Sequence, residues 1–236
     1  LSIMLGVGIT FGSNYVGIMA CLGAFLISIG VVALANIGGR ATSVKLLLAG
    51  MALSSLCGAF SSFIVYFSND QDGMKTVSYW MMGSLGGASW ENNAVVVPIS
   101  ILGVLFFWTQ YRTLNLMLLG DESAITLGTD LHPWRQLYLL VSSLMVGFAV
   151  YCAGVIGFVG LVIPHVVRML FGTDHKKLVP LCALVGAIFL IWADVLCRII
   201  ITGMELPIGI LTSMIGAPVF IWLMVRKKYG FGGKES

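Results

Sequence analysis

Residues 178–201 read "LVPLCALVGAIFLIWADVLCRIII", a run in which Asp194 and Arg198 are the only charged side chains. About 20 apolar residues in a helix cross the hydrocarbon core of a bilayer. Lipid offers backbone amides no partner, so such a run predicts a transmembrane helix. Asp194 and Arg198 stand four apart near one end, where helical spacing lets them face each other. They read as an ion pair that fastens the helix end, or as a source of one docking charge at the surface beyond it.

The pattern recurs outward from this run. Apolar stretches at 1–12, 15–35, 45–67, 94–111, 136–153, 155–170 and 206–225 complete eight predicted spans, the first of them partial. The chain is 58% hydrophobic and 10% charged, with a mean hydropathy of +1.00. The alternating short segments of a membrane β-barrel are absent. Twenty-nine glycines suit closely packed membrane helices. The predicted fold class is therefore an all-α membrane protein, a polytopic helical bundle forming one transmembrane domain over 1–236. Pro164 and Pro218 predict a bend in one span and a stop or kink in another. The chain opens on Leu1 without the charged region or cleavage site of a signal peptide. It reads as a piece whose front is missing.

Alternating the loops between two sides sorts the charges. Arg40, Lys45, Arg112, Arg135, Arg168, Lys176, Lys177, Arg226, Lys227, Lys228 and Lys234 collect on one side, and Lys75 and Arg198 on the other. The positive-inside rule makes the first side cytoplasmic, and with it the C-terminus. Residues 112–135 become the longest cytoplasmic loop. Residues 68–93 become an external segment in which "TVSYWMMGSLGGASW" (76–90) predicts a helix lying at the interface.

Enzyme signals are missing. His132, His165 and His175 form no H-E-x-x-H motif, and Cys21, Cys57, Cys152, Cys182 and Cys197 form no C-x-x-C pair. No metal site is predicted, and the cysteines read as small buried hydrophobes. The tail "GFGGKES" lacks the spacing of a phosphate loop, so no motif for ATP hydrolysis is present. His165, beside Pro164, reads as a satisfied packing histidine.

Two helical faces carry small residues: Gly50, Ser54, Cys57, Gly58 and Ser61 on one run, Gly209, Thr212, Ser213 and Gly216 on the last. Small residues let helices approach closely, so tight packing and the lining of a wide path are both open readings. Within 112–135, "LLGDESAITLG" (118–128) puts Asp121 and Glu122 at the head of a short helix, where acids suit the dipole, and Gly128 at its end. "HPWRQ" (132–136) reads as a second short helix. Helices this short need tertiary support. The loop is a compact connector or a docking surface.

Six stretches resemble the FecCD-type permeases, the membrane subunits of ATP-binding-cassette importers for iron–siderophores, haem and vitamin B12. They are "KLLLAGMALSS" (45–55), "YWMMGSLGGASW" (79–90), "LLGDESAITLG" (118–128), "GVIGFVGLVIPHVVRMLFGTDHKKLVP" (154–180), "GAIFLIWADVLCR" (186–198) and "ELPIGILTSMIGAPVFIWL" (205–223). The resemblance implies the BtuC-like, type II importer fold, with about eight of the family's ten transmembrane helices present. It implies that 118–130 is the coupling element, with Gly120, Asp121, Glu122, Ala124, Leu127 and Gly128 against the ATPase. It implies that Arg198 meets an acidic residue of a binding protein and that Thr42 and Ser43 stand at an inner gate. Val44 and Lys45 depart from the family pattern there. Gly50, Ser54, Gly58, Ser61, Gly209, Thr212, Ser213 and Gly216 become the path lining.

The implied partners are a second permease copy, cytoplasmic ATPase subunits, an extracytoplasmic binding protein and membrane lipid, with no nucleic acid. The chain itself would bind no cofactor; ATP and Mg belong to the ATPase. The implied location is a bacterial or archaeal cytoplasmic membrane. An ion-coupled secondary transporter is the rival class. It needs carboxylates near the midplane, and Asp194, the one acid inside a span, sits near an end.

Overall fold

A computed structural model of the protein describes residues 15–37, 39, 42–67, 71–200 and 206–226. The predicted span at 1–12 lies outside the described residues. The described elements are α1 (Tyr15–Asn36), α2 (Ser43–Phe67), α3 (Gln71–Met82), α4 (Trp90–Thr109), α5 (Tyr111–Met117), α6 (Asp121–Thr126), α7 (His132–Ala153), α8 (Val159–Phe171), α9 (His175–Ile200) and α10 (Ile208–Arg226). Five of them, α1, α2, α4, α7 and α9, are long and apolar enough to cross a membrane. Their outward faces carry large apolar side chains, as lipid requires.

Four expectations change. The run at 155–170 is not one full span: residues 154–158 are not helical, and α8 keeps 13 residues, about 20 Å of rise. "HPWRQ" is no separate short helix but the first turn of α7, with Pro133 where a missing N–H is harmless. A short helix that the sequence did not announce, α5, precedes α6 instead. Of the stop or kink expected at Pro218, the stop does not occur, since α10 runs on to Arg226. Of the amphipathic piece predicted as a helix over 76–90, residues 76–82 form the C-terminal part of α3, which begins earlier at Gln71, while 83–89 are not helical.

Within the bundle α1 packs on α7 and α2, α7 on α4, and α9 on α8, α4, α5 and α10. One buried cluster joins Ala193 and Cys197 of α9 to Ile208 and Leu211 of α10. Another joins Ile163 and Val167 of α8 to Leu178 of α9. His165 is satisfied as expected: its Nδ1 meets the Leu161 carbonyl at 2.7 Å, and its ring stands edge-on to Phe220.

The two ends of the bundle are built differently. At one end backbone meets backbone. Gly154 and Gly83 both have positive φ (68° and 69°), a conformation that glycine takes without strain. The Ser84 amide donates to the Ala153 carbonyl at 2.9 Å. A Cβ on Gly83 would stand 2.6 Å from the Val155 carbonyl. Gly209 of α10 presses on the Met82 carbonyl, with Val155 O at 3.1 Å from any Cβ there. Apolar, non-helical backbone at membrane depth survives only when protein surrounds it, and here α3 and α10 do so. The other end, which carries Arg112, Arg135, Lys176 and Lys177, is tied by side chains.

Candidate functional site

The polar loop at the basic end is a folded elbow. Gly120 turns the chain out of α5 with φ 88°, which favours glycine. Asp121 opens α6 near the positive end of its dipole. Gly128, at φ 81°, closes it: the Thr129 amide donates to the Ala124 carbonyl and the Gly128 amide to that of Ile125, both at 2.9 Å. This pair of bonds is a Schellman stop. Ala124 is fully buried beneath the helix.

Arg135, in the first turns of α7, holds the Asp121 carboxylate with two nitrogens, at 2.5 and 3.2 Å. The arginine side chain is 14% exposed and the aspartate 45%. The arginine's hydrogen bond and charge keep the Asp121 carboxyl below its ordinary range. Glu122 begins the same helix; its side chain lies outside the described residues. Leu118, Leu119, Ile125 and Leu127 stay exposed around the elbow, Leu127 at 64%. An apolar tip beyond the spans, rimmed by charge, has the character of a docking surface.

A second fastening ties α5 to the start of α9. Asn115 Nδ2 donates to Asp174 Oδ1 at 2.9 Å, while Asn115 Oδ1 accepts the His175 amide at 2.9 Å and meets His175 Nδ1 at 2.7 Å. The Asn115 bond, then the Lys176 amide, hold the Asp174 carboxyl below its ordinary range. Between these fastenings the Tyr138 hydroxyl donates to Gln110 Oε1 at 3.3 Å, and its ring packs with Phe106, Phe107 and Trp134. The elbow is thus anchored to α4, α7 and α9 together. Asn115, a lone amide without periodic context, carried no signal in the sequence. Arg135 was visible only as a cytoplasmic charge.

The remaining predicted residues separate into groups. Arg198 bonds Asp194 at 2.9 Å, as the spacing predicted, and stays half exposed at the end of α9 opposite the elbow. The Thr42 hydroxyl accepts the Lys45 amide at 3.3 Å and so caps α2; Ser43 is its first residue, with its side chain outside the described residues. On α2, Ser54, Gly58 and Ser61 are exposed, and a Cβ at Gly50 or Gly58 would meet nothing within 4 Å among the described residues. On α10 the face is already occupied. Gly209 abuts Met82, Thr212 is buried and bonded to the Gly209 carbonyl, and Gly216 abuts Phe158. Of that set Ser213 alone keeps appreciable exposure, with its hydroxyl 3.7 Å from where a Cβ on Gly157 would stand.

The chain is similar in sequence and fold to known transport permeases. The FecCD transport family model matches residues 1–226. The chain is similar to the vitamin B12 import system permease protein of Salmonella typhi, 41% identical over 210 residues, covering 89% of this chain and 63% of that one. It is similar to the hemin transport system permease protein of Yersinia pestis, 44% identical over 194 residues, covering 80% of this chain and 57% of that one. The chain thus spans about 60% of the length of these relatives. A solved structure, an inward-facing conformation of a metal-chelate type ABC transporter, matches with a TM-score of 0.78 at 31% identity, over 96% of this chain and 70% of that one.

Proposed function

This chain belongs to the FecCD transport family, and from that premise we propose that it is a membrane permease subunit of an ATP-binding-cassette importer. Its cargo is an intact chelate of the size class of vitamin B12, haem or an iron–siderophore. ATP and Mg act in separate cytoplasmic ATPase subunits. A binding protein delivers the cargo from outside, and two permease copies enclose the path. The elbow end faces the cytoplasm, as its basic residues favour.

One observation carries this reading: α6 is a short helix with an exposed apolar tip, bolted to α7 through Asp121 and Arg135. A partner pressing on Ile125 and Leu127 would move α6, α7 and, through Asn115, α9 as one body. Packed interfaces pass on rigid shifts of this kind because they are bistable rather than compliant. Ser54, Gly58 and Ser61 on α2 supply a face that the described residues leave uncovered, suited to the path or to the second copy.

The ion-coupled alternative finds less support. Asp194, the acid within α9, is engaged by Arg198 near the helix end. The test is reconstitution in liposomes with a cognate ATPase and binding protein. Cargo uptake that requires ATP supports the proposal. Uphill uptake driven by an ion gradient without the ATPase overturns it.

A further inference from the structure

Two cations share one aromatic ring at the basic end. The Arg112 guanidinium carbon lies 5.7 Å from the Tyr111 ring centroid, and the Lys176 ammonium lies 5.9 Å from it. Arg112 Nε also donates to Tyr111 Oη at 3.1 Å. The ring quadrupole attracts each cation but neutralises neither. Among the described residues, neither forms an ion pair with a carboxylate. The acid nearest in sequence, Asp174, spends its Oδ1 on Asn115 and on the Lys176 amide. Lys177 adds a third exposed cation beside them.

What adjoins the pair is apolar. The Trp108 indole donates to the Lys176 carbonyl at 3.0 Å, which pins it beside the cations while the residue stays 44% exposed. Leu105, one turn back on α4, is exposed. So are Pro180 and Ala183, which continue the Lys176 face of α9 into the span. Concentrated positive charge over an apolar strip, with an indole at the boundary, matches a molecule with a negative head and hydrocarbon tails. A soluble anion would leave the strip unused.

We propose that Tyr111, Arg112 and Lys176 form a headgroup site for an anionic phospholipid, whose acyl chains lie along Trp108, Leu105 and Ala183. The site requires that the chain cross a membrane; it does not depend on the ATPase reading.

Native mass spectrometry of the detergent-purified protein, offered equal phosphatidylglycerol and phosphatidylcholine, tests it. The unaltered protein should retain phosphatidylglycerol preferentially. R112Q/K176Q should lower that preference roughly fivefold per charge removed. R112K/K176R, which keeps both charges, should retain most of it, and K75Q, at the opposite end, should retain all of it. Millimolar inorganic phosphate should displace nothing. An unchanged preference in R112Q/K176Q overturns the proposal. So does displacement by phosphate, which would mark a free-anion site. So does a double variant that keeps its lipid but loses ATPase-subunit binding, which would mark a protein contact.

Discussion

Arg135 closes its guanidinium on the Asp121 carboxylate, one nitrogen to each oxygen, and so joins the first turn of α7 to the head of α6. The pair is part exposed, so its stability value is about 1 kcal/mol or less. In the proposed coupling role its value would be larger, since it fixes the direction of α6. D121A and R135Q should each insert and fold. Both should uncouple ATPase turnover from cargo uptake, and the double variant should be no worse than either single one. Uptake per ATP measured in liposomes checks this; additive losses would show the two residues acting separately.

The same pair has a defined pH signature. Arg135 holds the Asp121 carboxyl below 3.8. A group whose folded pKa is depressed contributes its stabilisation above the unfolded pKa and loses it as pH falls through the folded one. The thermal-stability gap between the unaltered protein and D121A should therefore stay constant from about pH 8 to pH 5 and narrow only under about pH 4. A gap that closed near neutrality would point to a different titrating group.

Asn115 is the second fastening. N115A leaves the His175 amide without its acceptor, at a cost of about 1–3 kcal/mol. It should lower the melting temperature and raise the Asp174 pKa toward its usual value, since the Asn115 bond is the main cause of the shift. N115D restores an acceptor but sets a carboxylate against Asp174, so it should rescue little. Thermal melts of both variants, with titration of Asp174, test the assignment.

The glycines divide by what surrounds them. G209A drives a methyl into the Met82 backbone, and G216A drives one to 2.5 Å from the Phe158 Cβ. Overpacking of this kind costs about 1–3 kcal/mol, so both variants should lose folded yield. G50A and G58A meet no atom among the described residues and should fold normally. Reduced uptake with normal folding in G58A would place that face on the path or against a second copy; normal uptake would leave it facing lipid.

Arg198 has an internal partner in Asp194 and a side chain that stays about half exposed. R198E sets two acids four apart on α9, a penalty of about 0.2–0.5 kcal/mol. A large loss of binding-protein affinity, greatest at low salt, would then reflect docking rather than folding. Affinity unchanged at low salt would remove Arg198 from the docking surface.

Much of this was legible in sequence because lipid imposes simple arithmetic on length and polarity. The runs at 15–35, 45–67 and 178–201 became α1, α2 and α9 almost residue for residue. The acids of 121–122 and Gly128 marked α6 because caps and dipoles act locally. The break at 154–158 was hidden, since "GVIGF" is as apolar as the helix it interrupts. Hydropathy reports what lipid tolerates and says nothing of where the backbone turns. The α10 face was ambiguous for a related reason: small side chains suit both an open channel wall and a neighbouring carbonyl, and Met82 decides for the second at Gly209.

The contrast between the two ends sets where movement is possible. At the glycine corner, main chain abuts main chain, and no rotamer can swing aside to make room. At the elbow, two side-chain clasps tie α6, α7 and α9 together. A lever pinned at the corner travels most at its far tip. With α9 about 39 Å long, a tilt of about 5° displaces its elbow end by about 3 Å while the corner stays nearly still. In the proposed transport cycle the corner would serve as the fulcrum, and the stroke would belong to the side that carries Asp121.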